Sequence, residues 1–198
     1  MKSILLTTLV GAFALVSAHA QEVGKAAPQF TAKNLKGDTV SLAEQRGKVV
    51  VLEWVNFDCP FVKKHYSSGN MGKLQADYTK KGVVWLSINS SAQGKQGFYE
   101  PSKMAERAST EGNKASHFLM DTDGTIGKSY DAKVTPHMFV IDKEGKLVYN
   151  GAVDSKATTE NADIATADKL LANAVDAVIA GKEVENAKNQ PYGCGVKY

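Results

Sequence analysis

Val49-Val50-Val51-Leu52-Glu53-Trp54-Val55-Asn56-Phe57-Asp58-Cys59-Pro60 is the stretch that decides how this chain is read. From Val49 to Phe57 it is almost continuously apolar, the pattern of a central strand covered on both faces. Cys59 ends the run, and Pro60 opens a helix-like stretch, the position where proline is tolerated best. A sulfur at the mouth of a helix meets the positive end of the helix dipole, which stabilises a thiolate. Lys63 and Lys64 follow in the first turns and add positive charge. Cys59 is therefore a candidate nucleophile; the plainer alternative is an inert cysteine at a strand end. Phe61 beside it is placed to gate access or to pack on a substrate.

Outward from this centre the chain reads as alternating strands and helices. Thr39-Val40-Ser41-Leu42 pairs across Lys36-Gly37-Asp38 with the segment before it, as a small hairpin. Apolar spacing at Val62, Tyr66, Met71, Leu74 and Tyr78 predicts one helix over 61–81, stopped by Gly82. Val83 to Asn89 reads as a second buried strand, Pro101 starts a helix, and Phe118-Leu119-Met120 is a short strand. Asp121-Thr122-Asp123-Gly124 has the acids of a calcium loop but none of its remainder, and reads as a turn. A short helix to Tyr130 follows. Val134 to Asp142 reads as a strand with Pro136 near its entry, turning at Glu144-Gly145 into Lys146 to Tyr149. A helix over 166–180 then places Leu170, Leu171, Val175 and Ile179 inward, with Gly181 as its stop. Together these predict an α/β sandwich with a mixed central sheet flanked by helices and an N-terminal hairpin extension.

Lys2, the apolar stretch Ile4 to Val16 and Ala18-His19-Ala20 have the layout of a secretory signal peptide cleaved between Ala20 and Gln21. The expected organisation is thus a leader over 1–20, one domain over 21–185, and a tail over 186–198. The chain carries 24 basic and 21 acidic residues, a net charge of +3, which the leader's single lysine reduces by one. That balance, with no basic stripe, excludes a nucleic-acid binder. No segment after the leader is apolar enough to span a membrane. The expected product is an exported soluble protein, most simply periplasmic.

Both cysteines, Cys59 and Cys194, lie after the leader, where an oxidising compartment permits a bond. Cys194 sits in the turn-rich tail Pro191-Tyr192-Gly193-Cys194-Gly195. Three possibilities stay open for it: a reversible pair with Cys59, a permanent staple, or a free or intermolecular thiol. Glu53 is costly in an apolar strand unless neutral or paired. A buried carboxyl with a raised pKa shuttles protons near neutral pH; an exposed or lysine-paired carboxylate is the alternative. His137 follows Pro136 and is a candidate to lie near Cys59, whereas His65 reads as a helix residue facing away. The cysteines and histidines lack metal-ligand spacing, so no metal and no cofactor is expected.

The order of strand, thiol at a helix entry, and Thr135-Pro136 before Phe139-Val140-Ile141-Asp142 resembles the thioredoxin fold. The longer layout resembles its redoxin branch, the alkyl hydroperoxide reductase/thiol-specific antioxidant family. Asp58-Cys59-Pro60-Phe61-Val62-Lys63-Lys64-His65-Tyr66 is similar to a peroxiredoxin-like group of exported bacterial proteins. The resemblance implies that Cys59 is the attacking thiol and Glu53 the buried proton-transfer acid. It implies that Thr135-Pro136, in cis, offers backbone to a substrate chain, with Pro60 and Phe61 lining the same place. Lys63 falls where such proteins often carry a lysine. Val62 stands where a second active-site cysteine would be, and Leu52 and Asn56 where a peroxidase would have proline and threonine. The expected activity is thiol–disulfide exchange on protein or small-molecule thiols and disulfides, with Cys194 as resolving cysteine and an external reductant. A thiol peroxidase consuming peroxides and a non-catalytic binding module with a structural disulfide are the alternatives.

Overall fold

The computed structural model describes residues 22–198, so the expected leader lies outside the described residues. A five-stranded mixed sheet forms the centre. Its middle strand is β3 (Val50–Trp54), rich in the β-branched and aromatic residues that fit a pleated, buried surface. All five of its residues are buried. β3 pairs in parallel with β4 (Val84–Asn89) and antiparallel with β7 (His137–Ile141). β5 (His117–Met120) extends the sheet beyond β4, and β8 (Leu147–Gly151) beyond β7. The expected hairpin extension is β1 (Thr31–Lys33) against β2 (Thr39–Ser41).

Alternation along β3 sends its residues into two cores. Val51, with Val49 and Val55 beyond the strand ends, packs with Trp85, Met138 and Val140. Against them lie α1 (Pro60–Ser67), α2 (Asn70–Lys80), α3 (Pro101–Thr110) and α5 (Leu170–Ile179). Val50, Leu52 and Trp54 face the other way, onto Leu86, Ile88 and Phe139, under the N-terminal segment and α4 (Thr125–Ser129). Each fully buried aliphatic side chain contributes about 1.5–3 kcal/mol. Asp121 accepts the backbone N–H groups of Ile126 and Gly127 at 2.9 and 2.8 Å, so the acidic turn serves the start of α4.

Three boundaries differ from the sequence expectation. The helix over 61–81 is two helices, α1 and α2, broken at Ser68-Gly69, where Gly69 adopts φ 74°. The inward spacing survives the break, because Val62, Tyr66, Met71 and Tyr78 are all buried while Leu74 is half-buried. The strand over 134–142 is split at Pro136, which has no N–H to continue a ladder. Its first part, β6 (Val134–Thr135), pairs not with the main sheet but with β9 (Cys194–Gly195) in the tail. The last helix begins at Leu170 rather than 166, after a 3-10 segment over Asn161–Thr166.

Gly72 lies inside α2 where it meets the turn at Gly112. A Cβ on Gly72 would stand 2.7 Å from the Gly112 carbonyl oxygen. Helix propensity alone favours Gly72→Ala by up to ~1 kcal/mol, but backbone overpacking costs about 1–3 kcal/mol. Gly72→Ala is therefore expected to lower stability in urea unfolding; a gain would show that the turn yields freely.

Candidate active site

Cys59 is the N-cap of α1, in extended conformation (φ −77°, ψ 125°), with Pro60 in the first turn. Its carbonyl accepts the Lys63 N–H at 2.9 Å and its own N–H donates to Asn56 O at 3.0 Å. The residue is fully buried (0% exposed). Its Sγ donates to the Thr135 carbonyl at 3.0 Å. The Thr135–Pro136 peptide is cis. Thr135 is also the register partner of Cys194 in the β6–β9 ladder, and its hydroxyl donates to Cys194 O at 3.5 Å. Both thiols are free, and Cys194 packs against the core cluster that contains Cys59. Burial, then the neighbouring Cys59 sulfur and its charge when ionised, push the Cys194 thiol up to about 12. Cys194 thus keeps its proton at neutral pH while it is docked.

The loop that delivers Cys59 is held from α3. Arg107 pairs with Asp58 at 2.7 Å, and the Tyr99 hydroxyl donates to the same carboxylate at 3.1 Å. The guanidinium lies 4.9 Å from the Tyr99 ring centre and 6.0 Å from that of Phe57. Asn56 Oδ1 accepts the Asp58 N–H at 2.9 Å. Asp58, Tyr99 and Arg107 escape sequence reading, since a polar loop residue and a helix arginine carry no local sign of each other.

Glu53 is fully buried, on the same face of β3 as Val51 and Val55. Tyr66 donates to Oε1 at 2.7 Å; Gln75 and Trp85 donate to Oε2 at 2.8 Å and Ser87 at 3.0 Å. Asn113 donates to Tyr66 and Ser87 at 3.0 and 2.9 Å, which leaves both hydroxyl protons for Glu53. Burial raises the carboxyl above its usual range, against these four donors, which favour the charged form. Burial and the adjacent Glu53 charge also hold the Tyr66 hydroxyl well above its ordinary value. The network reaches α1 through Tyr66; Cys59 is not among the groups bonded to the carboxylate.

A second buried polar cluster lies at the other side of α1. Lys64 and His65 are 1% and 0% exposed. Lys64 Nζ donates to Lys156 O at 2.7 Å and pairs with Asp154 at 3.5 Å. His65 Nδ1 accepts from Asn70 at 2.9 Å, and Nε2 donates to the Tyr192 hydroxyl at 3.0 Å. That hydroxyl in turn donates to Asp154 Oδ1. Burial, opposed by Asp154 and reinforced by Lys64, lowers His65 to about 4.

The remaining expected site residues are placed as follows. Phe61 is half-buried, its ring 5.8 Å from that of Tyr192 in the tail. Lys63 is exposed, whereas its neighbour Lys64 is inside. His137 does not meet Cys59: its Nε2 bonds Asn150 Oδ1 at 2.8 Å and its Nδ1 accepts from Lys133 N at 3.3 Å. Burial lowers it to about 4. His65, read from sequence as facing away, is the histidine tied to the tail that carries Cys194.

Two outcomes follow from these environments. Glu53→Leu strands four buried donors, each costing about 1–3 kcal/mol, and should lose at least ~3 kcal/mol in urea unfolding. Glu53→Gln keeps an acceptor for most of them and should lose clearly less; equal losses would mean the donors find other partners. Both histidines are depressed from 6.5 to about 4, so the unfolded chain binds more protons in that window. Their contribution to stability is present above 6.5 and is lost as pH falls through 4. An NMR titration should find both rings neutral at pH 5.5; a midpoint near 6.5 for either would contradict its buried setting.

Comparison with known proteins bears on the family and the fold. Thiol-disulfide oxidoreductase ResA of Bacillus thuringiensis subsp. konkukian (strain 97-27) is 27% identical over 127 residues, covering 64% of this chain and 68% of that protein. An uncharacterized conserved protein from Geobacillus kaustophilus superimposes with a TM-score of 0.76 at 27% identity, over 90% of this chain and 93% of the other. A hypothetical protein from Sinorhizobium meliloti 1021 does so with a TM-score of 0.76 at 26% identity, over 91% and 96%. The fold is thioredoxin-like, with its mixed sheet flanked by helices. The match to the Redoxin family spans residues 22–171, and the chain belongs to that family.

Proposed function

We propose that this protein is an exported thiol–disulfide oxidoreductase in which Cys59 attacks and Cys194 resolves. The observation that carries the reading is the meeting of both thiols at the Thr135 carbonyl: Cys59 Sγ lies 3.0 Å from it, and Cys194 is its strand partner. Similarity to the ResA thiol-disulfide oxidoreductases supports the same chemistry. Lys2, the apolar run and Ala18-His19-Ala20 support export.

In this reading the Cys59 thiolate attacks one sulfur of a substrate disulfide. A Cys59–substrate disulfide forms, and the other substrate sulfur leaves as a thiolate that takes up a proton. Cys194 then loses its proton and attacks Cys59 Sγ, forming the Cys59–Cys194 bond and releasing the second substrate thiol. Two electrons pass from protein to substrate, and an external thiol returns them. Cys194 becomes competent only when it gives up the proton that burial and Cys59 hold on it. Glu53 is the acid of the site, linked through Tyr66 to the helix that carries Cys59. Thr135 and Pro136, with Pro60 and Phe61, line the place where the substrate docks. The peroxidase reading gains no support: Leu52 offers no polar group, and the Asn56 amide is committed to Asp58 N and Gln96 O.

The test is a series of glutathione buffers with mass-spectrometric mapping of both cysteines. A Cys59–Cys194 bond that opens within about −120 to −270 mV is expected. Cys194→Ser should instead trap a Cys59–glutathione mixed disulfide, and Cys59→Ser should abolish exchange. A bond that stays closed at strongly reducing poise would mean a structural staple, and no bond at all would remove Cys194 as resolver.

A further inference from the structure

The tail that carries Cys194 is fastened at each end by backbone. Ala187 O accepts the Asn150 N–H at 2.9 Å, and the Asn189 N–H donates to Asn150 O at 3.1 Å, beside β8. Asn189 Oδ1 accepts the Ala152 N–H at 2.8 Å. Further on, the Val196 N–H donates to Lys133 O at 3.0 Å, continuing the pairing of β9 with β6. Between these stretches the chain crosses α1, and there its anchor is a side chain. The Tyr192 hydroxyl accepts from His65 and donates to Asp154. Its ring rests near Phe61, with Lys64 Nζ 5.5 Å from the ring centre.

Burying a cation, an imidazole and a carboxylate together is costly unless each has a partner. Lys64 has Lys156 O and Asp154, and His65 Nδ1 has Asn70. What remains is His65 Nε2, which donates to the Tyr192 phenol; that phenol donates to Asp154 Oδ1, which also accepts the Lys156 N–H at 3.0 Å, while Asp154 Oδ2 makes no hydrogen bond. The cluster is therefore completed by a residue of the tail, two positions before Cys194. Gly193, between them, adopts φ 142°. A Cβ there would lie 2.0 Å from Thr135 O, the oxygen that also accepts the Cys59 thiol.

We infer that Tyr192 is the positioning residue that sets Cys194 against Cys59, with Gly193 permitting the close approach. The inference rests on the exchange chemistry proposed above. Tyr192 touches neither sulfur. It fixes the tail so that the second thiol meets the first intramolecularly, which raises its effective concentration at Cys59.

The experiment compares the full chain with Tyr192→Phe and Gly193→Ala in glutathione buffers, reading two quantities by mass spectrometry. One is the ratio of Cys59–Cys194 bond to Cys59–glutathione mixed disulfide; the other is the rate of Cys59 alkylation in the reduced protein. Loss of the anchoring hydroxyl should lower that ratio about ten- to hundredfold. It should make the couple about 30–60 mV less negative, because ~30 mV is tenfold for two electrons. Gly193→Ala should move it the same way by steric exclusion, without touching the polar cluster. Cys59 alkylation should accelerate in both as the tail lifts. A merely structural role for Tyr192 would lower stability and leave the ratio at its wild-type value. That result in both variants, with the wild type forming the bond, would overturn the positioning role alone. A wild type that forms no bond in any buffer would overturn the resolver reading and this inference with it.

Discussion

The Thr135 carbonyl is the constraint on which the site depends. One oxygen takes the Cys59 thiol, belongs to the residue that pairs with Cys194, and borders the space that only a glycine at 193 leaves clear. Pro136 makes this possible by ending the ladder. Beyond it the chain belongs to the central sheet, and before it the backbone is released to pair with the tail. A strand continuing without interruption from 134 to 141 would have spent those backbone groups on the sheet. The split strand is thus what couples a rigid scaffold to a separate, dockable segment.

The two polar clusters flanking α1 fix that helix for different purposes. Glu53 is held by donors from α1, α2 and β4, so its burial ties three elements to the central strand. The Lys64–His65–Asp154 group has one partner that the domain itself does not supply, the phenol of Tyr192. The first cluster stabilises the frame around Cys59, and the second fastens the segment that covers it. Burial shifts Glu53 and His65 toward their neutral forms: the carboxyl rises and the imidazole falls.

Much of this was legible in the sequence where the signal is local. The apolar run ending in Asp58-Cys59-Pro60 marked the central strand and the helix entry, and Val62, Met71 and Tyr78 announced the buried face. The break at Ser68-Gly69 was hidden, because apolar spacing carried through the turn and outweighed its turn residues. Gln75, Ser87 and Asn113 carry no local sign of a shared partner, although Ser87 lies in a strand that reads as buried. Their burial follows from Glu53, whose need for donors is visible in sequence but whose donors come from separate elements. Lys64 reads as charge added near the thiol and His65 as facing away from it, although His65 sits three residues after Val62 and one before Tyr66, within the inward phase. The docking of the tail had no local sign beyond small, turn-forming residues around Cys194.

Cys59 is fully buried because its own tail lies over it, and this places two demands on the same contacts. In the proposed exchange, resolution is fast when Cys194 is held close, and entry is easy when the tail is loose. A substrate that pairs with Thr135 as an extended chain must displace β9, which competes at the high effective concentration of a tethered segment. A small disulfide needs only a partial lift. Under the proposed function, the docking energy of the tail acts on substrate choice as well as on the second chemical step. Its ladder with β6 is two residues long and is continued by backbone bonds at Val196 and Lys197. Between that stretch and the bonds at 187–189, Tyr192 is the residue held by a buried charged cluster. A tail docked by backbone alone would open and close with the strand edge; one docked through Tyr192 makes the cover of Cys59 and the aim of Cys194 a single property.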